Sequence, residues 1–266
     1  MEPIPEDPES RRAWLEDWAA QQRQEQQPQQ QPGRHPIRMT PSLAVELLID
    51  RLDRQVERIF DRRLDTTTRV YDVPETGPVD GVAYVPSAWH VLPRALRAVG
   101  AGKDDVFVDF GCGKGRIVHQ AARWPLRKVI GVEVSPALAD QARGLVAAHR
   151  HAYRCRDVEI VVGDAAKFSV PDDVTIAYFF DPFRGKTLDA VVQNMIDSVD
   201  RRPRRLQLIY VNPTFGGQVL AGGRFRLVKW QRGGLRDLRV NRAAIFELVA
   251  ARSGRVPGGS AAAGRR

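Results

Sequence analysis

The sequence predicts an α/β protein: a doubly wound, mostly parallel sheet of seven strands that closes in a C-terminal antiparallel hairpin, preceded by N-terminal helices. Three observations carry this expectation. From residue 105 onward, short β-branched runs alternate with helix-length segments, as expected for strands buried on both faces and joined by right-handed crossovers. A glycine-rich loop follows the first of those runs. The last two runs are separated by a polar, glycine-containing stretch with no room for a helix, so they should pair antiparallel.

Residues 1–39 are expected to be disordered. Residues 21–36 (QQRQEQQPQQQPGRHP) are rich in Gln and Pro and have no apolar periodicity, so ordering them would bury too little surface to offset the entropy lost. Trp14, Leu15 and Trp18 form at most one amphipathic turn ahead of this stretch. Residues 40–83 read as a helical extension and loop. Thr40-Pro41 gives an N-cap with proline at the first helical position, and Val45, Leu48, Leu52, Val56 and Ile59 mark one face of a helix over 40–64. Turn residues Pro74, Gly77, Pro78 and Gly81 then surround Tyr71 and Tyr84. The main domain spans 84–250. Ser87 should open a helix whose buried face is Val91, Leu92, Ala95, Leu96 and Val99. Five parallel strands follow at 106–110, 128–133, 158–163, 174–180 and 206–211, and the hairpin strands at 225–230 and 243–249. The tail 251–266 reads as disordered.

Composition narrows the function classes. With 43% apolar residues, 18 Pro and 22 Gly, the 266-residue chain is ordinary globular material. No apolar run reaches the roughly 18–20 residues of a membrane helix, and the acidic start MEPIPEDPES is unlike a signal peptide. A soluble cytoplasmic protein is expected, with no membrane partner. Cys112 and Cys155 are too few for a disulfide framework and lack a paired metal spacing, so no metal is expected. The net charge of +9 raises nucleic acid as a partner. Only six of the 41 basic residues are lysine, however, and such arginine dominance also follows from a GC-rich coding sequence. The densest patch, Arg201, Arg202, Arg204 and Arg205, is equally explained by a solvated loop between helix and strand.

The segment VFVDFGCGKGR (106–116) carries the chemistry: a strand ending near Asp109, then Gly111, Gly113 and Gly115, then a helix. Glycines let backbone approach a ligand closely, and a helix start offers free N–H donors. The dinucleotide spacing G-x-G-x-x-G would place glycine where Arg116 stands. An acid two residues before the first glycine would repel a pyrophosphate and better suits a cationic group of the ligand.

This D-x-G-x-G-x-G loop resembles that of the class I S-adenosylmethionine-dependent methyltransferases, and the resemblance covers most of 84–249. It implies a Rossmann-like methyltransferase fold over 84–250 with S-adenosyl-L-methionine as cofactor. It also implies that Asp109, Gly111, Gly113 and Gly115 cradle the methionine part and nucleoside, and that Glu133 in VIGVEVSP takes the ribose hydroxyls. A carboxylate can accept two such bonds in parallel. The resemblance gives Asp164 and Ala165 in VVGDAAKF to the adenine. Glu133 and Asp164 are each also readable as ordinary polar residues at strand ends.

Methyl transfer from a sulfonium needs alignment and water exclusion more than a dedicated catalytic group. Asp181, in Asp181-Pro182-Phe183 after the fourth strand, is the candidate for contacting the nucleophile, with a turn starter as the alternative. Related amine methylases often carry N-P-P-Y or D-P-P-Y here, whereas this chain has one proline and Phe183 directly after it. Tyr84 and Trp89, with Pro182 and Phe183, are candidates for lining the acceptor site, although Tyr84 and Trp89 equally suit a core. His90 and His119 are candidate bases by residue type alone. The segment also loosely resembles bacterial methyltransferases akin to the Dot1 group of protein lysine methylases. The expected acceptor is a small molecule or a protein, with RNA or DNA and a non-catalytic scaffold role as alternatives. Oligomeric state is open.

Overall fold

The computed structural model describes residues 87–231 and 242–249. The segments 1–39 and 40–83, the helix expected at 40–64, Tyr84 and the tail 251–266 lie outside the described residues. In chain order the elements are α1 (Val91–Val99), β1 (Val106–Phe110), α2 (Arg116–Ala122), β2 (Lys128–Glu133), α3 (Pro136–His149), β3 (Asp157–Val162), β4 (Ile176–Phe180), α4 (Gly185–Arg201), β5 (Leu206–Val211), α5 (Gly216–Ala221), β6 (Phe225–Gln231) and β7 (Ala243–Leu248). Single 3-10 turns follow α3 at Arg150–Ala152 and β3 at Ala165–Lys167.

All seven strands form one sheet in the order β3-β2-β1-β4-β5-β7-β6. The five strands from β3 to β5 are mutually parallel, and β7 runs antiparallel between β5 and β6. The expected doubly wound sheet with its terminal hairpin is therefore present. Strand limits differ slightly from the sequence reading: β3 starts at Asp157, which pairs with Lys128, and β4 starts at Ile176. Thr175 ahead of β4 uses its hydroxyl on Asp105, 2.8 Å away, instead of continuing the apolar run.

The inner strands alternate between two buried layers, as the two-residue side-chain period requires, while the edge strands β3 and β6 are largely exposed or half-buried. Val108, Phe110, Ile130, Val132, Phe179, Leu208 and Tyr210 face the layer covered by α4 and α5. Phe107, Val129, Tyr178, Ile209 and Ile245 face the layer covered by α1 and α2. Fully burying a side chain of this size contributes about 1.5–3 kcal/mol, so a strand apolar on both faces is held from both sides.

Helix α1 buries the five apolar residues that its periodicity marks and ends on Gly100 at φ 70°, where the amide of Ala101 bonds back to the Leu96 carbonyl at 2.9 Å. Its start corrects the sequence reading. The helix begins at Val91, and Ser87 places its hydroxyl 2.7 Å from that of Tyr178 in β4. A long-range hydrogen bond to a buried tyrosine thus takes the side chain that looked like a cap.

The chain lays down β1, β2 and β3 to one side and then returns to place β4 on the other side of β1. In such sheets a crevice opens at the carboxyl ends of the two strands flanking the reversal. Here those are β1 and β4, followed by the glycine loop and by Asp181.

Gly115 begins α2 with φ 82°, and a Cβ placed there would lie 2.9 Å from the Ala142 side chain and 3.1 Å from its Cα. Gly115→Ala combines left-handed strain with a backbone clash and should cost on the order of 2–4 kcal/mol. Urea unfolding monitored by circular dichroism checks this: the expected outcome is a lower midpoint at unchanged slope.

Candidate functional site

The loop after β1 is fixed by its neighbour strand. The amides of Gly111 and Cys112 both donate to the Val132 carbonyl, at 2.8 and 3.0 Å. Beyond them the Gly113 amide donates to Glu133 Oε2 at 2.8 Å, and the Ser135 amide donates to Glu133 Oε1 at 2.9 Å. Glu133 is 7% exposed. Each of its oxygens has one bond from backbone and a further lone pair available, since a carboxylate accepts at about four sites. Ser135 then caps α3 with Pro136 in its first turn, so the same residue that helps hold Glu133 starts the helix.

Asp109 lies one residue before the end of β1 and is 3% exposed. The described residues give its carboxylate no hydrogen bond, and burial, followed by the nearby Glu133 charge, pushes its proton affinity well above the ordinary carboxylate range. A buried carboxylate without a donor is costly, and a cationic group brought against it would relieve that cost. Gly111 has φ 77°, and a Cβ there would come within 3.2 Å of Pro182. The glycine loop and Asp181-Pro182 therefore close on each other across the reversal.

Asp181 directly follows β4 with φ 44°. Its Oδ1 accepts the Tyr210 hydroxyl at 2.7 Å, and its Oδ2 accepts the Thr214 hydroxyl at 2.6 Å. Burial raises its proton affinity, while those two hydroxyls and the Arg184 charge oppose the rise. Asn212, directly after β5, is the other non-glycine residue at positive φ among the described residues, at 48°. Phe180 and Val211 are register partners, so the two strained residues leave adjacent strands side by side. Strain of this kind concentrates at functional sites.

The remaining predicted residues divide. Phe183 is partly buried, edge-on to Phe179 with ring centroids 5.8 Å apart, next to Pro182. Asp164 caps the turn after β3, accepting the Ala166 amide at 2.9 Å, and Ala165 is buried behind it. Asp164 therefore serves as a local cap with one oxygen, the bland reading of that residue, while the other lies 3.9 Å from Lys167. Trp89 is a correction. It is 6% exposed, packed with Leu145, 5.1 Å from the Arg116 guanidinium and edge-on to His119. Among the described residues it packs against the helices as a core ring, the alternative reading of that residue. His119 is likewise a core residue: its Nδ1 lies 2.9 Å from the Tyr153 hydroxyl, and burial lowers its proton affinity to about 4. His90 precedes α1 at its N-cap.

Sequence reading missed three residues of this region. Tyr210 and Thr214 come from the next strand and its loop, and only the fold brings them to Asp181. Val134, immediately after Glu133, is 43% exposed at the end of β2; an apolar residue directly following the strand's last acid was the available signal.

The basic patch lies at the opposite end of the sheet, where β5 begins. Arg201 pairs with Asp172 at 2.7 Å, and Arg205 pairs with Glu247 at 3.3 Å. Arg204 donates to the carbonyls of Val174, Ser198 and Pro171 at 2.7, 2.9 and 3.1 Å. These arginines tie loops together. Among the described residues, no helix is long and apolar enough to cross a membrane, and no group of three or more His, Cys, Asp or Glu is placed to hold a metal ion.

Residues 107–202 match the sequence profile of a family described as a methyltransferase domain. A protein-lysine N-methyltransferase of Saccharolobus islandicus (strain REY15A) is 40% identical over 58 residues, which are 21% of this chain and 36% of that protein. The chain thus matches about a third of the length of this curated relative. Among solved structures, a proposed RNA methyltransferase from Pyrococcus horikoshii superimposes with a TM-score of 0.50 at 14% identity, covering 75% of this chain and 98% of that one. An RNA methyltransferase from Salinibacter ruber in complex with S-adenosyl-L-homocysteine has a TM-score of 0.42 at 20% identity, covering 64% and 97%.

Because native Asp109 holds its proton more tightly than the unfolded chain does, its contribution to stability is greatest below about its ordinary value of 3.8 and is lost as pH rises through the raised native value. Asp181 acts with the same sign. Asp109→Asn should therefore raise the thermal midpoint of the ligand-free protein at pH 7, by a margin that shrinks toward pH 4. Differential scanning calorimetry across that range is the check, and a margin independent of pH would contradict the assignment.

Proposed function

We propose that residues 107–202, which match a methyltransferase-domain profile, are the core of a class I S-adenosylmethionine-dependent methyltransferase, and that the protein transfers a methyl group from S-adenosyl-L-methionine to an amine acceptor, on a protein or a small molecule, presented at Asp181-Pro182-Phe183. One observation carries this reading: Asp109 and Glu133, two buried carboxylates with acceptor capacity to spare, stand at the ends of β1 and β2 beside a glycine loop that packs against Pro182.

The donor set fits this cofactor. Glu133 has a lone pair left on each oxygen for the two hydroxyls of a ribose. Val134 beside it, exposed at the end of β2, would meet a purine as an apolar surface, with Asp164 and Ala165 after β3 assigned to the adenine amino group and a ring nitrogen. Asp109 suits the ammonium of the methionine part because it is buried and has no donor among the described residues. Gly111, Gly113 and Gly115 bring backbone close where side chains would stand in the way.

When bound, S-adenosyl-L-methionine supplies an electrophilic methyl on a sulfonium whose departure as a neutral thioether needs no acid, so the acceptor has to provide only a lone pair. The protein's part is then geometric. Asp181 accepts an N–H of the acceptor and thereby turns its lone pair toward the glycine loop, while Pro182 and Phe183 exclude water from the line of approach. The proton that an ammonium must shed before attack leaves to solvent, and Asp181 holds a remaining N–H. The protein-lysine N-methyltransferase relative supports an amine acceptor. The internally paired arginines, at the end of the sheet away from the crevice, lend no support to a nucleic-acid surface there.

Isothermal titration with S-adenosylmethionine and S-adenosylhomocysteine tests the reading. Micromolar binding to the wild type is expected, with Asp109→Ala and Glu133→Ala each weakening it by about ten- to a hundred-fold, the loss of charge-assisted bonds worth about 1.5–3 kcal/mol. Absence of binding by folded wild-type protein would sink the assignment.

A further inference from the structure

The carboxylate of Asp181 is more elaborately held than a turn requires. An Asx turn uses a side-chain oxygen on the chain's own backbone nearby, whereas here both oxygens are taken by hydroxyls from another strand and its loop. Tyr210 is fully buried in β5, and its hydroxyl donates to Asp181 Oδ1 at 2.7 Å. Thr214 has its hydroxyl 2.6 Å from Asp181 and a longer 3.3 Å contact to the Asn212 carbonyl, so the shorter partner takes the proton. Four residues further along on each side, the segments are tied again, since Gln218 donates to the Gly185 carbonyl at 2.7 Å and to Asp189 at 2.6 Å.

The arrangement has an electrostatic consequence. Two donors aimed at one carboxyl favour its charged form, against the burial that disfavours it. The charged and titratable groups facing Asp181 are Tyr210 from β5 and Arg184 from its own loop. The Arg184 guanidinium lies over the Phe215 ring, 5.9 Å from its centroid, and makes no hydrogen bond to Asp181. A carboxylate of this kind, half-buried at the crevice and without a bonded counter-ion, suits a cation arriving from outside. A neutral hydroxyl acceptor would leave the charge uncompensated.

We propose that Tyr210 and Thr214 are positioning residues that fix both oxygens of the Asp181 carboxylate toward the crevice, and that they thereby select an acceptor bearing an alkylammonium group over one bearing a hydroxyl. This rests on the reading of the crevice as a methyl-transfer site and names what it takes. Neither residue touches the acceptor. Both act through Asp181.

The test has two parts that fail separately. Protein labelled with 13C at aspartate Cγ is titrated by NMR, the Asp181 signal being the one lost in Asp181→Asn. Thr214→Val and Tyr210→Phe should each move the Asp181 midpoint upward by about one pH unit, while Thr214→Ser stays near wild type. Methyl transfer from labelled S-adenosylmethionine is then followed on a short peptide with one lysine flanked by glutamates, chosen because the protein carries a net charge of +9, and on the same peptide with serine in place of lysine. Turnover is expected on the lysine peptide alone. Thr214→Val should raise its KM about ten-fold and move the acidic limb of the rate profile upward by the NMR shift, and Thr214→Ser should restore both. Unmoved midpoints overturn the positioning role. Equal turnover of both peptides, or none of the lysine peptide by enzyme that binds S-adenosylmethionine, overturns the selection for alkylammonium and leaves the cofactor site standing.

Discussion

Two backbone amides bonded to one side chain organise the carboxyl end of this sheet. Gly113 and Ser135 donate to opposite oxygens of Glu133, which joins the loop after β1 to the strand end of β2 and to the start of α3. Backbone donors that would otherwise need solvent are thereby satisfied inside the fold. The position of the loop follows from this joint, and so does its approach to Pro182 through the missing Cβ of Gly111. Gly131 in β2 belongs to the same constraint: a Cβ there would lie 2.8 Å from Cys112 Sγ and from Val118 Cγ2. The strand leaves space into which the loop cysteine and the first turns of α2 settle.

The site is assembled at a cost in stability. Asp109 sits close enough to Glu133 for the two charges to oppose each other in a buried setting, and the chain spends two strained backbone positions, Asp181 and Asn212, on adjacent strand ends. The layers behind them offset this. Phe179 meets Phe110 and Tyr210 edge-on, at 5.4 and 5.6 Å between centroids, so the strands bearing the strained residues are packed tightly just behind the crevice. Rigid aromatic packing beneath a strained polar rim lets functional geometry persist without being locally stable.

How much was readable in advance follows the range of each interaction. The strands, the hairpin and the glycine loop were legible because they are written in neighbouring residues: apolar runs, turn residues and spacing. The positions of Asp109 and Glu133 near strand ends were legible for the same reason. The partners of Asp181 were not, since Tyr210 reads simply as an aromatic in a strand and Thr214 as a loop residue, 29 and 33 positions away. The same limit explains Ser87, whose local pattern marks a helix cap but whose hydroxyl reaches Tyr178, 91 residues on. For Trp89 the sequence leaves acceptor lining and core packing both open, and Leu145, Arg116 and His119, distant in sequence, pack against it. For Glu133 the sequence indicates the residue type, while its double use, structural through backbone and open on its remaining lone pairs, is a property of three-dimensional geometry.

Arg204 gathers the loops ahead of β4 and β5 at the amino end of the sheet, through the carbonyls of Pro171, Val174 and Ser198 and the Ser198 hydroxyl at 2.7 Å. That fastening is independent of anything at the crevice. A chain whose integrity is secured at one pole can tolerate exchange of side chains at the other, because each pole's substitutions are felt locally and add nearly independently when far apart. Side chains at the crevice end, such as Phe183 and Thr214, are then free to change while the scaffold stays folded. The arginine cluster is then best seen as a source of evolutionary latitude: the part of the molecule that makes change elsewhere affordable.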